Sequence, residues 1–234
     1  MEFKQNIFNN SGEVPVKTFP FDIENYTAVE YNDSIQLNGD KKMRVKGLAE
    51  KYAAINAYFF EYLREYQIPT AFHKIHAKTT VKLLKHNQLP FVIKIFNVAD
   101  RRTAKLFSLK ETEPLSLPIF EFHLNGLKDS LITESHLIAF DFCSYDEIKL
   151  IGRICSKVNA VLKSYFERRG EILAEFTCVF GKIDNKLYLV DDFTPKSIKL
   201  LPIDKNSKFV NPFKLSTPSE VKKYTEHLFN LTSS

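Results

Sequence analysis

The stretch EILAEFTCVFGKIDNKLYLVDDFTPKSIKL, residues 171–200, decides how the chain is read. Residues 172–180 and 186–190 are rich in β-branched and aromatic side chains. The segment between them, Gly-Lys-Ile-Asp-Asn, has turn chemistry, so the stretch predicts a β-hairpin. Its second strand runs into two acids, Asp191 and Asp192, followed by Thr-Pro-Lys. A carboxylate pair at the mouth of a hairpin is a candidate seat for Mg²⁺ and a nucleotide phosphate. The facing strand, however, offers Thr177, Cys178 and Val179, none of them a good magnesium ligand.

Outward from the hairpin, the spacing predicts helices on both sides. Residues 144–170 place Ile148, Ile151, Cys155, Val158, Leu162 and Phe166 on one stripe behind a Ser144/Glu147 capping box, with Arg168, Arg169 and Gly170 suited to the C-terminal end. Residues 49–66 repeat apolar and aromatic side chains at three and four, and Ile68-Pro69 stops them. Thr217-Pro218-Ser219-Glu220 is a second capping box and opens a short terminal helix. Strands are predicted over 26–31, 71–77, 79–85 and 90–98. Strands first, then strands mixed with helices, give an α+β fold class.

The 234 residues are 44% hydrophobic and 26% charged, which suits a globular chain with a sizeable core. The net charge of +5 comes without a long basic run or a basic stripe interleaved with aromatics, so a small anion is favoured over nucleic acid. Three scattered cysteines without a C-x-x-C argue against a disulfide framework. The N-terminus lacks a signal-type apolar region, and no apolar stretch approaches ~20 residues, so neither secretion nor a membrane is expected and the cytoplasm is the simplest compartment.

His73 and His76, three apart on a predicted strand, point to opposite faces and do not form a chelating pair. No H-E-x-x-H, G-x-S-x-G, G-x-G-x-x-G or P-loop occurs. The loop NGDKKMRVKG (38–47) collects Lys41, Lys42, Arg44 and Lys46 after a tight turn. In VIKIFNVADRRTAKL (92–106), Lys94 sits in an apolar strand and must reach water or meet an anion. Arg101 and Arg102 follow the strand, and KDSLITESH (128–136) supplies a polar loop or a helix start.

In this order the segments resemble the SAICAR synthetases, the phosphoribosylaminoimidazole-succinocarboxamide synthases of purine synthesis. LNGDKKMRVKG is similar to that family's F-N-G-x-K-K loop, and KDSLITESH to D-P-M-(I/V)-N-E-x-H. EFTCVFG is similar to D-F-K-L-E-F-G, and YLVDDFTPKSIKL to L-x-D-E-(I/F)-S-P-D-x-x-R-(L/F). The resemblance implies two lobes, taken here as residues 1–85 with an antiparallel sheet and helix, and 86–234, joined in one compact unit. It also implies Mg²⁺ and ATP as cofactors. ATP phosphorylates a carboxylate on an imidazole ribonucleotide, and aspartate's amine then displaces phosphate.

Carried over by position, the resemblance implies anion- or substrate-binding roles for Asn38, Lys41, Lys42, Lys82, Arg101, Asp129, Glu134, His136 and Lys199. It implies catalytic roles for Lys94, Glu175 and Asp191, and metal ligation by Asp191 and Asp192. Lys41, Lys42, Lys94, Arg101 and Lys199 are expected to converge on one cleft.

The departures fall at the site. Val179 stands for the metal-binding glutamate, Thr177 for the lysine, Glu175 for the aspartate, and Lys94 and Lys199 for arginines. Pro15 interrupts the predicted nucleotide-covering strand, and Asp100 stands where the family's serine meets a phosphate. The expected activity is therefore that of a diverged enzyme on a phosphorylated, ribonucleotide-like anion, with the Mg²⁺ and ATP sites degraded. An ordinary ATP-dependent ligase and an inactive binding or regulatory protein stay open beside it, as does self-association.

Overall fold

The computed structural model describes residues 17–20, 25–36, 42–127, 130–190, 193–204 and 209–233. Two antiparallel sheets organise them. The first has the order β1 (Lys17–Pro20), β2 (Tyr26–Glu30), β6 (Thr80–Leu84), β5 (Phe72–Ala77), and a small hairpin of β3 (Ser34–Gln36) and β4 (Lys42–Arg44) stands beside it. The second has the order β11 (Lys186–Leu189), β10 (Glu171–Ile183), β7 (Asn87–Val98), β8 (Pro114–Leu124), β9 (Leu131–Ile132), and β12 (Ile198–Pro202) pairs with the first half of β10. The sheets meet where Ala71 N donates to Leu189 O and Leu189 N to Pro69 O.

Helix α1 (Leu48–Glu65) buries Leu48, Tyr52, Ile55, Phe59, Phe60 and Leu63. Its first turn is satisfied from a distance, because Asp33 Oδ1 accepts from Ala49 N at 3.0 Å. Gln67, with a positive φ, ends it just ahead of Ile68-Pro69. Helix α4 (Tyr145–Glu167) buries the stripe read from the sequence and packs on β10, with the Ser144/Glu147 capping box formed at 2.8 and 3.2 Å. At its far end Arg169 donates to the carbonyls of Tyr165 and Leu231 and lies 3.7 Å over the Tyr165 ring. Helix α5 (Pro218–Thr232) starts at its predicted box and packs on α1. One apolar cluster runs through both sheets. Phe193 stacks edge-on against Phe60 at 5.2 Å, and Phe59 meets Phe166 at 5.5 Å.

The hairpin differs from its reading in one respect. Strand β10 continues to Ile183, and only Asp184 and Asn185 turn, both at positive φ, which Asp and Asn tolerate better than most residues. Gly181 lies within the strand because the His86 ring fills its Cβ side: an added Cβ would stand 2.6 Å from His86 Cδ2. Helix α2 (Arg101–Phe107), strand β8 and the short strands β3, β4, β9 and β12 were absent from the reading, and helix α3 (Glu134–Ala139) was offered only as a helix start.

A candidate ligand cavity on the second sheet

Side chains two apart on a strand share a face, and so do directly opposed residues of paired strands. On β10, Glu175, Thr177 and Val179 therefore lie on one face. Glu175 opposes Phe96 and Lys199, Thr177 opposes Lys94, and Val179 opposes Val92. Lys94 in turn opposes Glu121 on β8, and Val92 opposes His123. The start of α2 brings Asp100, Arg101 and Arg102 to the same place. The result is a cavity of about 590 Å³ lined by Lys94, Arg101, Glu121, His123 and Glu175, with Phe96, Val98 and Phe213 among its apolar walls.

Several charges here are already committed. Asp100 caps α2, its Oδ1 accepting from Thr103 N at 2.8 Å. Burial pushes the Asp100 carboxyl up, but the Thr103 bonds, the backbone and Arg102 outweigh it and hold the group below the usual range. The N–H group of Thr103 is thus taken by the chain's own carboxylate. Buried Glu121 accepts from Arg102, and His123 Nε2 lies 3.2 Å from its other oxygen.

Glu175 and Lys199 are less settled. Burial raises the Glu175 carboxyl, and Lys94 and Lys199 offset this only in part. Burial lowers the Lys199 ammonium against the pull of Glu175, with Lys94 and Lys196 adding to the lowering. Lys199 Nζ donates to Pro195 O at 2.8 Å. A raised carboxyl ionises at a cost to the folded state. That cost is absent below the unfolded value, near 4.5, grows as pH rises from there to the folded value, and is constant above it. Glu175→Gln, which fixes a neutral form, is expected to match the parent's stability at pH 3.5 and exceed it at pH 7, as urea midpoints at the two pH values would read.

Of the residues expected at the site, Lys94, Arg101 and Glu175 come together, and Lys199 borders them. Lys42 is exposed on β4 and is not among the residues that line this cavity. Lys82 is half-buried on β6 opposite Ala28, in the first sheet. Glu134 and His136 are exposed on α3, where His136 Nδ1 sits 2.8 Å from Thr133 Oγ1 and 3.1 Å from Thr133 N as a local cap. Asn38, Lys41, Asp129, Asp191 and Asp192 lie outside the described residues, as does Pro15.

The residues not anticipated are Glu121, His123 and Phe213. For the first two the signal was present, since residues 120–124 alternate apolar and polar side chains.

The fit to magnesium is poor among the described residues. They contain no group of three or more His, Cys, Asp or Glu side chains arranged to hold a metal, and the face position opposite Val92 is the apolar Val179. The three cysteines are free and buried, and no described helix is long and apolar enough to cross a membrane.

Two antiparallel sheets joined edge to edge, with lysines and carboxylates on one face of the larger beside a cavity, define an α+β fold. The family model for SAICAR synthetase matches residues 16–214, and the chain belongs to the SAICAR synthetase family. It is 30% identical to a phosphoribosylaminoimidazole-succinocarboxamide synthase from Sulfolobus acidocaldarius, over 92% of this chain and 94% of that one. It is 30% identical to one from an Exiguobacterium strain, over 76% of each chain. Among solved structures, SAICAR synthetase from Pyrococcus horikoshii superposes with a TM-score of 0.80 at 28% identity, over 92% of this chain and 96% of that one. A SAICAR synthetase in complex with ADP gives 0.80 at 27%, over 91% and 93%.

Proposed function

We propose that the chain binds a small, phosphorylated, ribonucleotide-like anion in the Lys94–Glu175 cavity, and that the magnesium- and ATP-dependent step of its relatives is degraded in it. The observation that carries this is the single sheet face shared by Glu175, Thr177 and Val179. Of the three side chains that the family motif places there, the lysine is replaced by Thr177, which carries no charge to neutralise a phosphoryl oxygen, and the glutamate by Val179, which cannot ligate Mg²⁺. The replacements sit side by side, so one function accounts for both.

What the face keeps is binding chemistry. Lys94 and Arg101 offer positive charge to a phosphate or carboxylate, while Glu175 asks for a hydrogen-bond donor on the same ligand. Lysine in place of arginine keeps the charge and loses the two-pronged geometry, so a single oxygen is recognised where two would have been. The apolar walls around Phe96 and Val98 accept the uncharged part of the ligand.

The ordinary ligase reading is favoured by the relatives' names and the ADP-bound neighbour. Calorimetry separates the two. Mg·ATP is expected to bind more weakly than about 1 mM, or less than ~4 kcal/mol, with or without a carboxylated imidazole ribonucleotide. Micromolar binding, or ADP release on adding aspartate, would restore the ligase.

A further inference from the structure

A second recess of about 220 Å³ adjoins the main cavity. It is lined by Ile35, Tyr52, Leu215 and Val221, with Lys196 and Lys199 as its charged members. Phe213 forms a wall of both spaces. A turn fixes that wall: Phe213 N donates to Asn211 Oδ1 at 2.9 Å, and Lys214 N to Asn211 O at 3.1 Å. A second turn fixes the lysines, with Thr194 N donating to Ser197 Oγ at 3.0 Å and Ile198 N to Thr194 O at 3.0 Å.

The two spaces differ in charge. In the main cavity Asp100, Glu111, Glu121 and Glu175 face Lys94, Arg101 and Arg102. In the recess, among the described residues, the lining holds both lysines and no carboxylate. Its other walls are largely apolar, which lowers the effective dielectric and strengthens the attraction of an ammonium for an anion. Burial already disfavours the charged form of Lys199, with Lys94 and Lys196 adding to the effect, and an anion placed between them would relieve that penalty.

Position 196 also departs from the motif that this stretch resembles. S-P-D-x-x-R carries an aspartate where Thr-Pro-Lys carries Lys196. We propose that the recess is an anion compartment of the ligand site and that Lys196 is its specificity-determining residue. An acid at this point would take a hydrogen-bond donor, whereas Lys196 takes a small anionic group, phosphate or carboxylate, on a ligand whose remainder lies past Phe213 in the main cavity. The proposal rests on the main cavity being the ligand site, but its test is separable.

Inorganic phosphate is titrated into the full chain at low salt, with binding followed by chemical shift, for the parent, Lys196→Met, Lys196→Asp and Lys94→Met. Lys196 is exposed, so its variants are expected to keep the parent's melting temperature. Loss of one charge-assisted contact is expected to weaken phosphate about tenfold in Lys196→Met, and the reversed charge to weaken it further in Lys196→Asp. Lys94→Met is expected to weaken it less than Lys196→Met does, since Lys94 lines the other space and reaches the recess only through its charge near Lys199. Repeating the titration with malonate distinguishes phosphate from carboxylate as the preferred group, and stronger binding of either supports the compartment. Weakening by Lys94→Met alone would place phosphate in the main cavity, overturning the recess while leaving the main site intact. Unchanged binding in both Lys196 variants, or no saturable binding by the parent, would also overturn it.

Discussion

Val179→Glu is expected to destabilise the chain by about 3–5 kcal/mol, the scale of a buried charge left without a partner. Val179 is only 6% exposed, and its cross-strand neighbour Val92 offers no donor. The substitution restores the carboxylate that the family motif carries, so it tests whether the face still has the shape of a metal site. Glu175 lies two residues away on the same face, close enough for both carboxylates to approach one ion. Mg²⁺ is therefore expected to stabilise Val179→Glu and leave the parent unchanged. At ten times its dissociation constant a ligand of the folded state contributes about 1.4 kcal/mol, which urea midpoints with and without Mg²⁺ resolve. A variant as stable as the parent would mean that position 179 reaches water. Instability that Mg²⁺ does not relieve would mean that more than this one ligand has been lost.

The contrast between Val179 and Glu121 shows what the sequence could and could not reveal about the site. The position of Val179 was legible because the hairpin fits a motif whose acid is missing. Glu121 lies in an alternating run but in no such motif. Its partner Arg102 is nineteen residues away, and the two meet only because β8 folds back along β7 and α2 covers the strand end. Helix α2 itself was hidden by length. Seven residues give too few repeats for a periodic signal, and its start, Asp100-Arg101-Arg102, resembles a basic loop.

The long helices were legible for the opposite reason. Both α4 and α5 combine an apolar stripe with a capping box, two independent signals that agree. His136 carries two signals at once. Its position in the motif implied a ligand contact, and its Nδ1 meets Thr133 at the start of α3. Lys94 was the clearest individual signal. An ammonium in an apolar strand has few structural uses, and the cavity it lines is consistent with that argument.

Asn56→Ala is expected to cost about 2–4 kcal/mol, although Asn56 touches no part of the cavity. The residue is 2% exposed in the middle of α1. Its Nδ2 donates to the Tyr31 hydroxyl, beside the first sheet, and its Oδ1 accepts from Phe193 N at 2.9 Å, at the exit of the hairpin. Phe193 is itself 1% exposed, so its amide, deprived of Oδ1, has no water to turn to. The same side chain thus joins helix α1 to the segment that follows Asp191 and Asp192 in sequence. Asn56→Leu separates the two contributions to the loss. Leucine fills the volume but supplies neither hydrogen bond, so it is expected to be no more stable than alanine. Recovery in the leucine variant would show that packing, and not the amide, holds the segment. Amide exchange gives the second reading, because Phe193 N–H is expected to lose its protection in both variants while the amides of α4 keep theirs relative to the lowered global stability. If Phe193 stays as protected as α4, the Asn56 bond does not anchor the hairpin exit.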